Sequence, residues 1–430
     1  AGVEGVRIQS SAGLIAALLA RNVGIPSNRG VVDLEMLPTI AVNRVINTCF
    51  RSDWEEILQR HMNTGLWQPN EEDIVDYLDG VDESKVKVML NEFFCEGHVT
   101  LDRWNLMAKG KIKPSREVGN ESKVDHSQTI MFLENGSTNA MYSAMTRRFK
   151  KCLDECMLPE VKLNPQWSDE ESENWYNERE PGRRAAGETY TYSVDSKAFD
   201  RSQEHAILRP ELELLRRMGL NQRTYDIWIQ THGLKKAMSM AFGIVANIVL
   251  TGVSGLWKTL LRNGLATLFS LVISADLHRG DVVALEIKGD DVEAEFSRPV
   301  KVETAVERMS LSFNLTSKFN TTSVRYFCKK FRVKVCGRWV EVADPWPKIQ
   351  SICAPIVHVS PEVPMIERWM SLRSGLRHYD NELVVAAAAE AAMVFYGLDK
   401  PLYGMARALA RLKDDKNAFM GFYGPPELVY

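Results

Sequence analysis

Apolar and polar positions along this chain repeat with two different periods. From Ser202 to Met218, apolar residues recur at Ile207, Leu208, Leu212, Leu215 and Met218, the spacing of one helical face. Residues 255–277 carry a denser apolar pattern, also helical, and from Pro361 onward the chain is helical again, most clearly in ELVVAAAAEAAMVFYGL. Between these lie short runs of strand type. TYTYSVD (189–195) is rich in Thr, Tyr and Val, residues 282–287 and 292–296 form two strands joined by KGDD, and YFCKKFRVKV (326–335) alternates. Residues 1–100 mix helical patterning with acidic turns such as EEDIVDYLDGVDES. Residues 159–187 are rich in Pro, Gly and acid and read as a long surface excursion or the end of a subdomain. No internal repeat is visible. Strands followed by helices predict an α+β chain centred on an antiparallel sheet with helices on one face.

Composition narrows the class. With 430 residues, 45% of them hydrophobic and 25% charged, the chain has the makings of two or three conjoined globular subdomains. A net charge of −3 excludes a uniformly basic nucleic-acid coat, but residues 100–151 hold ten Lys/Arg against five Asp/Glu. Seven scattered cysteines, with only Cys152 and Cys156 close together and no His/Cys pair to match them, argue against a zinc site and for a reduced setting. No apolar run is long enough to span a bilayer. SAGLIAALLA (11–20) resembles a signal h-region but lacks a basic flank, so a buried helix is the reading. The first residue is Ala1, which suggests a processed product or an excised domain.

The candidate chemistry is carboxylate chemistry. Gly289-Asp290-Asp291 puts two adjacent carboxylates at a predicted hairpin turn. A type I′ turn needs nothing more than that, yet two neighbouring aspartates repel, and a divalent cation would relieve the repulsion. Asp195 ends a predicted strand and Asp200 opens a predicted helix, where it could serve as an N-cap. If the Asp195 strand lies beside the 282–296 hairpin, Asp195 and Asp290 meet at one edge, as two cations clamping an in-line phosphoryl displacement require. Finally, Ser254-Gly255 precedes a helix on which Thr259 and Asn263 stand four apart, on one face. Alone, these are a helix start and two solvated polar residues.

The order and spacing of the three pieces are more specific than any one. D-x4-D with RSQ (195–203), SGxxxTxxxN (254–263) and KGDD (288–291) resemble the palm of RNA-directed RNA polymerases of positive-strand RNA viruses, and most resemble the alphavirus-like supergroup that includes tobamovirus-type replicases. KGKIKP (109–114), SQTIMF (127–132), Lys318, YFCKKF (326–331) and ADPWPKI (343–349) extend the likeness over roughly residues 105–355. The resemblance implies a right-hand polymerase. Residues 1–188 would be the N-terminal region and fingers, 189–340 the palm with a fingers insertion near 219–250, and 341–430 the thumb.

It also implies roles. Asp195 and Asp290 would be the main ligands of two Mg2+ ions, with Asp291 auxiliary and Mn2+ able to substitute. The reaction would be attack of an RNA 3′-OH on the α-phosphate of an NTP. Asp200, Ser254, Gly255, Thr259 and Asn263 would select the ribose, since a carboxylate, a hydroxyl and an amide can sense a 2′-OH. Lys109, Lys111, Lys113, Arg116 and Lys123 would hold the triphosphate, and a solvated basic strand is the alternative. Lys318 would protonate the leaving pyrophosphate, with a surface loop lysine as the alternative. Arg147, Arg148, Lys329 and Lys330 are candidates for RNA backbone; Lys150 and Lys151 share the first pair's basic run. The partners implied are RNA template and nascent RNA, NTPs, helicase and capping subunits of a replicase, and host membranes reached through them in the cytoplasm. A reverse transcriptase and a non-catalytic palm-like RNA-binding scaffold remain alternatives. Asp200, where reverse transcriptases usually carry an aromatic residue, and the intact aspartates at 195 and 290 speak against them.

Overall fold

The structure is a computed structural model. It describes residues 11, 12, 14, 15, 18, 35–68, 70–95, 101, 103–108, 129–196, 199, 205–233, 235–248, 257–321, 323–353 and 363–422. Described residues 11, 12, 14, 15 and 18 are helical, and α1 (Leu37–Cys49), α2 (Trp54–Asn63), α3 (Glu71–Asp79) and α4 (Glu83–Cys95) follow. Strands β1 (Arg103–Ala108) and β2 (Thr129–Leu133) lead into the long α5 (Gly136–Cys156), then β3 (Val161–Leu163), α6 (Asp169–Glu178) and α7 (Glu180–Ala186). Next are β4 (Tyr190–Ser196), α8 (His205–Arg217), α9 (Gln222–Gln230), β5 (Lys235–Ser239), β6 (Ile244–Ile248) and α10 (Thr259–Ser274). The hairpin β7 (Val282–Lys288) and β8 (Asp291–Phe296) is followed by α11 (Val302–Phe313), β9 (Ser317–Asn320), β10 (Arg325–Phe327), β11 (Lys330–Val335) and β12 (Arg338–Ala343). Five helices close the order: α12 (Pro345–Cys353), α13 (Val363–Gly375), α14 (Glu382–Tyr396), α15 (Tyr403–Asp414) and α16 (Lys416–Phe422).

The central sheet has the order β3-β7-β8-β4-β9. Period-2 alternation gives it two chemically different faces. Leu285, Ile287, Val292, Ala294, Phe296, Tyr192, Val194 and Phe319 point to one face, where they join the largest core with Leu261, Leu265, Phe269 and Val272 of α10 and Leu212 and Leu215 of α8. Glu286, Glu293 and Glu295 point to the other face and are buried as well. The expectation of an antiparallel sheet with helices on one face is therefore corrected in two respects. β3 runs parallel to β7. The second face is also covered, by α6, α7 and a three-stranded antiparallel sheet β10-β11-β12, because its row of buried glutamates needs cationic partners that those elements supply.

The 159–187 stretch is also corrected. It holds β3 and two helices rather than a surface excursion, and Ser172, Glu173, Trp175 and Tyr176 are buried. Its acids start α6, where Ser168 and Glu171 form a capping box. A separate four-stranded sheet, β2-β1-β5-β6, packs Trp104, Leu106, Met131, Leu133, Ala237 and Ile248 against Leu14 and Leu18. Phe331, Val333 and Val342 of the three-stranded sheet share a third core with α12 to α16. Among the described residues no helix is long and apolar enough to cross a membrane.

Candidate active site

Strand pairing assembles the aspartates. Val194 of β4 is in register with Val292 of the antiparallel β8, so Asp195, one residue after the first, and Asp291, one residue before the second, reach the same end of the sheet. Asp290 occupies the turn beside them, and Asp195, Asp290 and Asp291 are all exposed. On the other flank of β4, Asp195 is the register partner of Lys318 in β9. Directly opposed residues of an antiparallel pair share a face with Cβ atoms about 5 Å apart. Lys318 thus stands on a strand, beside the carboxylate, rather than in the surface loop weighed for it. The helix expected before it is α11, ending on Asn314 at φ 54°.

The turn itself differs from the type I′ form. Lys288 pairs with Asp291, leaving Gly289 and Asp290 as the two central residues, and of these only Gly289 has positive φ, at +67°. Glycine at the first central position is the requirement of a type II′ turn. Gly289 is buried and held from both sides. Its N–H donates to Asn164 Oδ1 at 2.7 Å, and its carbonyl accepts from the Thr267 hydroxyl at 2.8 Å. Asn164 Nδ2 donates in turn to the Leu260 carbonyl at 2.8 Å, in the first turn of α10 between Thr259 and Asn263. A Cβ on Gly289 would lie 4.0 Å from Asn263 Cβ, so this candidate of α10 flanks the aspartate turn directly.

The start of α10 is fixed from beneath by buried charge. Trp228 Nε1 donates to Glu211 Oε1 at 2.7 Å, and Lys258 Nζ donates to the Trp228 carbonyl at 2.7 Å while lying 4.4 Å from the centre of its ring. Glu211, Lys258 and Lys235 are fully buried. Burial pushes the Glu211 carboxyl up, with Lys258 and Arg262 pulling it back, and holds the Lys258 ammonium well below its ordinary value. Burial, aided by Arg262, lowers Lys235 to about 7.

The 326–331 hairpin turns at Cys328 and Lys329, both with positive φ, 49° and 65°. Cys328 Sγ lies 3.8 Å from Asp291 Oδ2, which brings this turn against the aspartates. Burial, with Asp291 adding to it, pushes the Cys328 thiol up to about 12, so it is a neutral neighbour. Lys329 is exposed, and Lys330 pairs with Asp169 and with Glu341 at 3.6 Å. With Lys348, Asp169 and Arg377 they line a cleft of about 610 Å³. Arg147 and Arg148 lie on α5 and are not part of this gathering. Arg147 stacks on Tyr77, and Arg148 bonds the carbonyls of Thr64, Gly65 and Gln68 and the carboxylate of Asp73. Lys109, Lys111, Lys113, Arg116, Lys123, Asp200, Ser254 and Gly255 lie outside the described residues.

Among the described residues no three His, Cys, Asp or Glu side chains are gathered tightly enough to enclose a metal ion by themselves. The donor set at the sheet end is an open one of exposed carboxylate oxygens. That chemistry fits Mg2+, which keeps several waters and takes one or two carboxylates together with substrate phosphates.

Comparison with known proteins decides the class. Residues 1–420 match the family described as RNA dependent RNA polymerase. The chain belongs to that family. It is 22% identical over 73% of its length to the replicase large subunit of Potato mop-top virus, of which it spans 17%. It is 19% identical over 88% of its length to the replicase large subunit of Tobamovirus Ob, spanning 23% of it. The replicase polyprotein 1ab of Beet yellows virus is 23% identical over 74% of this chain, which covers 10% of that protein. The likeness to alphavirus-like polymerases thus holds, and the chain spans less than a quarter of each of these relatives. RNA-dependent RNA polymerases use divalent metal ions as a class, consistent with the open carboxylate set. Asn164, Thr267 and Gly264 went unnoticed at the sequence level; an Asn-Pro pair after VKL marks a turn but not its partners.

Proposed function

We propose that this chain carries out template-directed RNA synthesis, adding nucleotides from NTPs to an RNA 3′-OH during replication or transcription of a viral RNA genome. The observation that carries the reading is the gathering of Asp195, Asp290, Asp291 and Lys318 at one end of a sheet, with Asn263 flanking the turn, in a chain of the polymerase family. In this reading residues 1–188 form the N-terminal region and fingers, 189–340 the palm and 341–430 the thumb. The insertion near 219–250 belongs to the fingers, which agrees with the pairing of β5 with β1.

Asp195, Asp290 and Asp291 are the groups that would hold two Mg2+ ions, which when bound activate the attacking hydroxyl and neutralise the leaving phosphates. Lys318, beside Asp195, donates a proton to the departing pyrophosphate oxygen. Asn263 and Thr259, with Ser254, Gly255 and Asp200, accept and donate hydrogen bonds around the ribose 2′-OH, so that a deoxyribose leaves polar groups unpaired. Lys109, Lys111, Lys113, Arg116 and Lys123 meet the triphosphate. The exposed Lys329, with Lys330 on the same turn, follows RNA backbone along the cleft next to Asp291. Arg147 and Arg148 remain candidates of lower weight, because the Arg148 guanidinium is tied to the α2–α3 connection. Helicase and capping subunits and a membrane-bound complex in the host cytoplasm complete the setting.

The test is labelled NTP and dNTP incorporation on a primed RNA template, with Mg2+ and Mn2+ in separate arms. Asp195→Asn and Asp290→Asn should nearly abolish incorporation while leaving the fold intact. Lys318→Leu should slow single-turnover incorporation about 10²-fold, with Lys318→Arg and Lys318→His keeping part of the rate. Near wild-type rates in both aspartate variants would defeat the assignment. Preferential use of dNTPs would turn it toward a reverse transcriptase.

A further inference from the structure

We infer that Asn164 is a positioning residue that locks the aspartate turn to the ribose-selecting helix, so that the carboxylates of Asp290 and Asp291 and the polar face of α10 hold one fixed relation. The inference rests on the metal-binding reading of that turn.

Asn164 lies immediately after β3, with φ 48°, in the left-handed region that asparagine tolerates better than most residues. Parallel pairing of Leu163 with Ile287, and an Asn164 N–H to Ile287 carbonyl bond of 2.6 Å, bring its side chain level with the turn. The side chain then makes two directional bonds in opposite senses. Its oxygen accepts from Gly289 N–H and its nitrogen donates to the Leu260 carbonyl. The bonds cross 125 and 96 residues of sequence to reach the two segments whose mutual placement the chemistry needs. Thr267, two turns along α10, holds the carbonyl of the same glycine. Both ends of the Gly289 residue are therefore anchored, one residue before the exposed Asp290.

The helix is built to admit this contact. Gly264 sits inside α10, where glycine is less favourable than alanine. A Cβ there would collide with the Asn164 amide and come within 2.7 Å of Leu163 Cδ1. A residue needed merely to make a left-handed turn would require neither the paired bonds nor a glycine cut into the helix opposite. Positioning matters because a displacement of about 1 Å at a reacting group can cost around 10²-fold in rate. Groups that orient metal ligands typically contribute 10–100-fold to metal affinity or activity.

Four variants separate the possibilities: Asn164→Gly, Asn164→Asp, Thr267→Val and, as reference, Asp290→Asn. Asn164→Gly accepts the backbone angle and removes both bonds. Asn164→Asp keeps the shape and the acceptor but turns the donor toward Leu260 into a repelling oxygen. Thr267→Val keeps volume and removes one anchor, in case the Asn164 variants fold poorly. Each is read by Mn2+ binding without substrate, followed by electron paramagnetic resonance, and by kcat, KM and the NTP-to-dNTP ratio in primed extension; thermal unfolding reports the folded fraction. We expect Asn164→Gly and Asn164→Asp to weaken Mn2+ binding and lower kcat per folded molecule, each about 10-fold or more, and to reduce discrimination against dNTPs. Thr267→Val should show a smaller loss of the same kind. Wild-type Mn2+ binding, kcat and selectivity in folded Asn164→Gly and Thr267→Val would overturn the inference, as would losses that vanish once scaled to the folded fraction. If Asp290→Asn itself binds Mn2+ and extends primers normally, the metal reading fails instead, whatever the Asn164 variants do.

Discussion

A single buried ammonium shows how far residue identity alone can mislead. Lys235 is a charged residue on a strand, yet it is fully buried, 3.2 Å from the Gly233 carbonyl and 6.0 Å from the centre of the Trp104 ring. Burial, then Arg262, lowers its pKa to about 7 from an ordinary value of 10.5. The unfolded chain therefore binds more protons than the folded one between those values, and stability rises with pH across that window. The cost is fully present below pH 7 and disappears near 10.5. Lys235→Met should be more stable than wild type at about pH 6, by a few kcal/mol at most, and the gain should shrink steadily toward about pH 10. Urea midpoints of both proteins across that range check it; a gain independent of pH would mean that the site was never paying for a charge. The carboxylates were different. Asp195 and Asp290 could be singled out from sequence by the order and spacing of their motifs, and Lys318 by the family likeness, whereas Asn164 has a role only through partners far along the chain.

Among the elements, charge ties the central sheet to the β10-β11-β12 sheet, beside the packing of Tyr176 on Trp339. Arg332 is buried and donates to Glu293 at 2.7 Å, to Glu341 at 2.9 Å, to Ser172 at 3.0 Å and to Glu286. Arg325 and Arg183 meet Glu295, the former at 3.0 and 3.1 Å and the latter at 2.7 Å. Burial works against the Glu295 carboxylate, but Arg325 and Arg183 outweigh it and leave its pKa below the ordinary value. Burial keeps Glu286 and Glu293 raised even with Arg332 pulling them down. Removing one partner of such a network strands the others. Arg332→Met should cost roughly 3–5 kcal/mol near neutral pH. Glu286 and Glu293 would then sit still higher, so the folded variant would bind more protons than the unfolded chain, and its deficit should narrow as pH falls from about 8 to about 5.5. Denaturant titration at both values tests this; an equal deficit at each would mean that the carboxylates had found other partners. The strand pattern at 282–296 revealed β7 and β8 but not this junction, since period 2 shows that Glu286, Glu293 and Glu295 share a face without showing what covers it.

For the molecule as a whole, a net charge of −3 means that RNA affinity cannot come from a uniform field. In the proposed function it comes from local cations such as those of the cleft beside Asp291, where burial and the neighbouring Lys330 and Lys329 already lower the Lys348 ammonium. Binding to single-stranded RNA should weaken steeply with salt, and Lys329→Ala should flatten the slope of log affinity against log salt by about 0.7, the share of one phosphate contact. Filter-binding titrations over a salt series measure that slope. An unchanged slope would remove Lys329 from the RNA path. Each sheet has an apolar core against it, and the catalytic candidates stand where the central sheet and the β10-β11-β12 sheet approach one another, at the contact of Cys328 with Asp291.

Local sequence determined the strands that end in Asp195 and begin at Asp291, the helix that carries Thr259 and Asn263, the glycine at the turn and the polymerase likeness. The elements depend on periodicity and turn chemistry, which act over a few residues, and the likeness on the order and spacing of motifs along the chain. Tertiary structure alone decided that Lys318 stands in register with Asp195, that the acidic 159–187 stretch packs as β3 and two helices, that a buried arginine network closes the far face of the sheet, and that Asn164 reaches both Gly289 and Leu260. The physical reason is the range of the interactions. A buried hydrogen bond or ion pair is satisfied by whatever group the fold brings within 3 Å or so, and nothing in the nearest residues of sequence specifies which group that is.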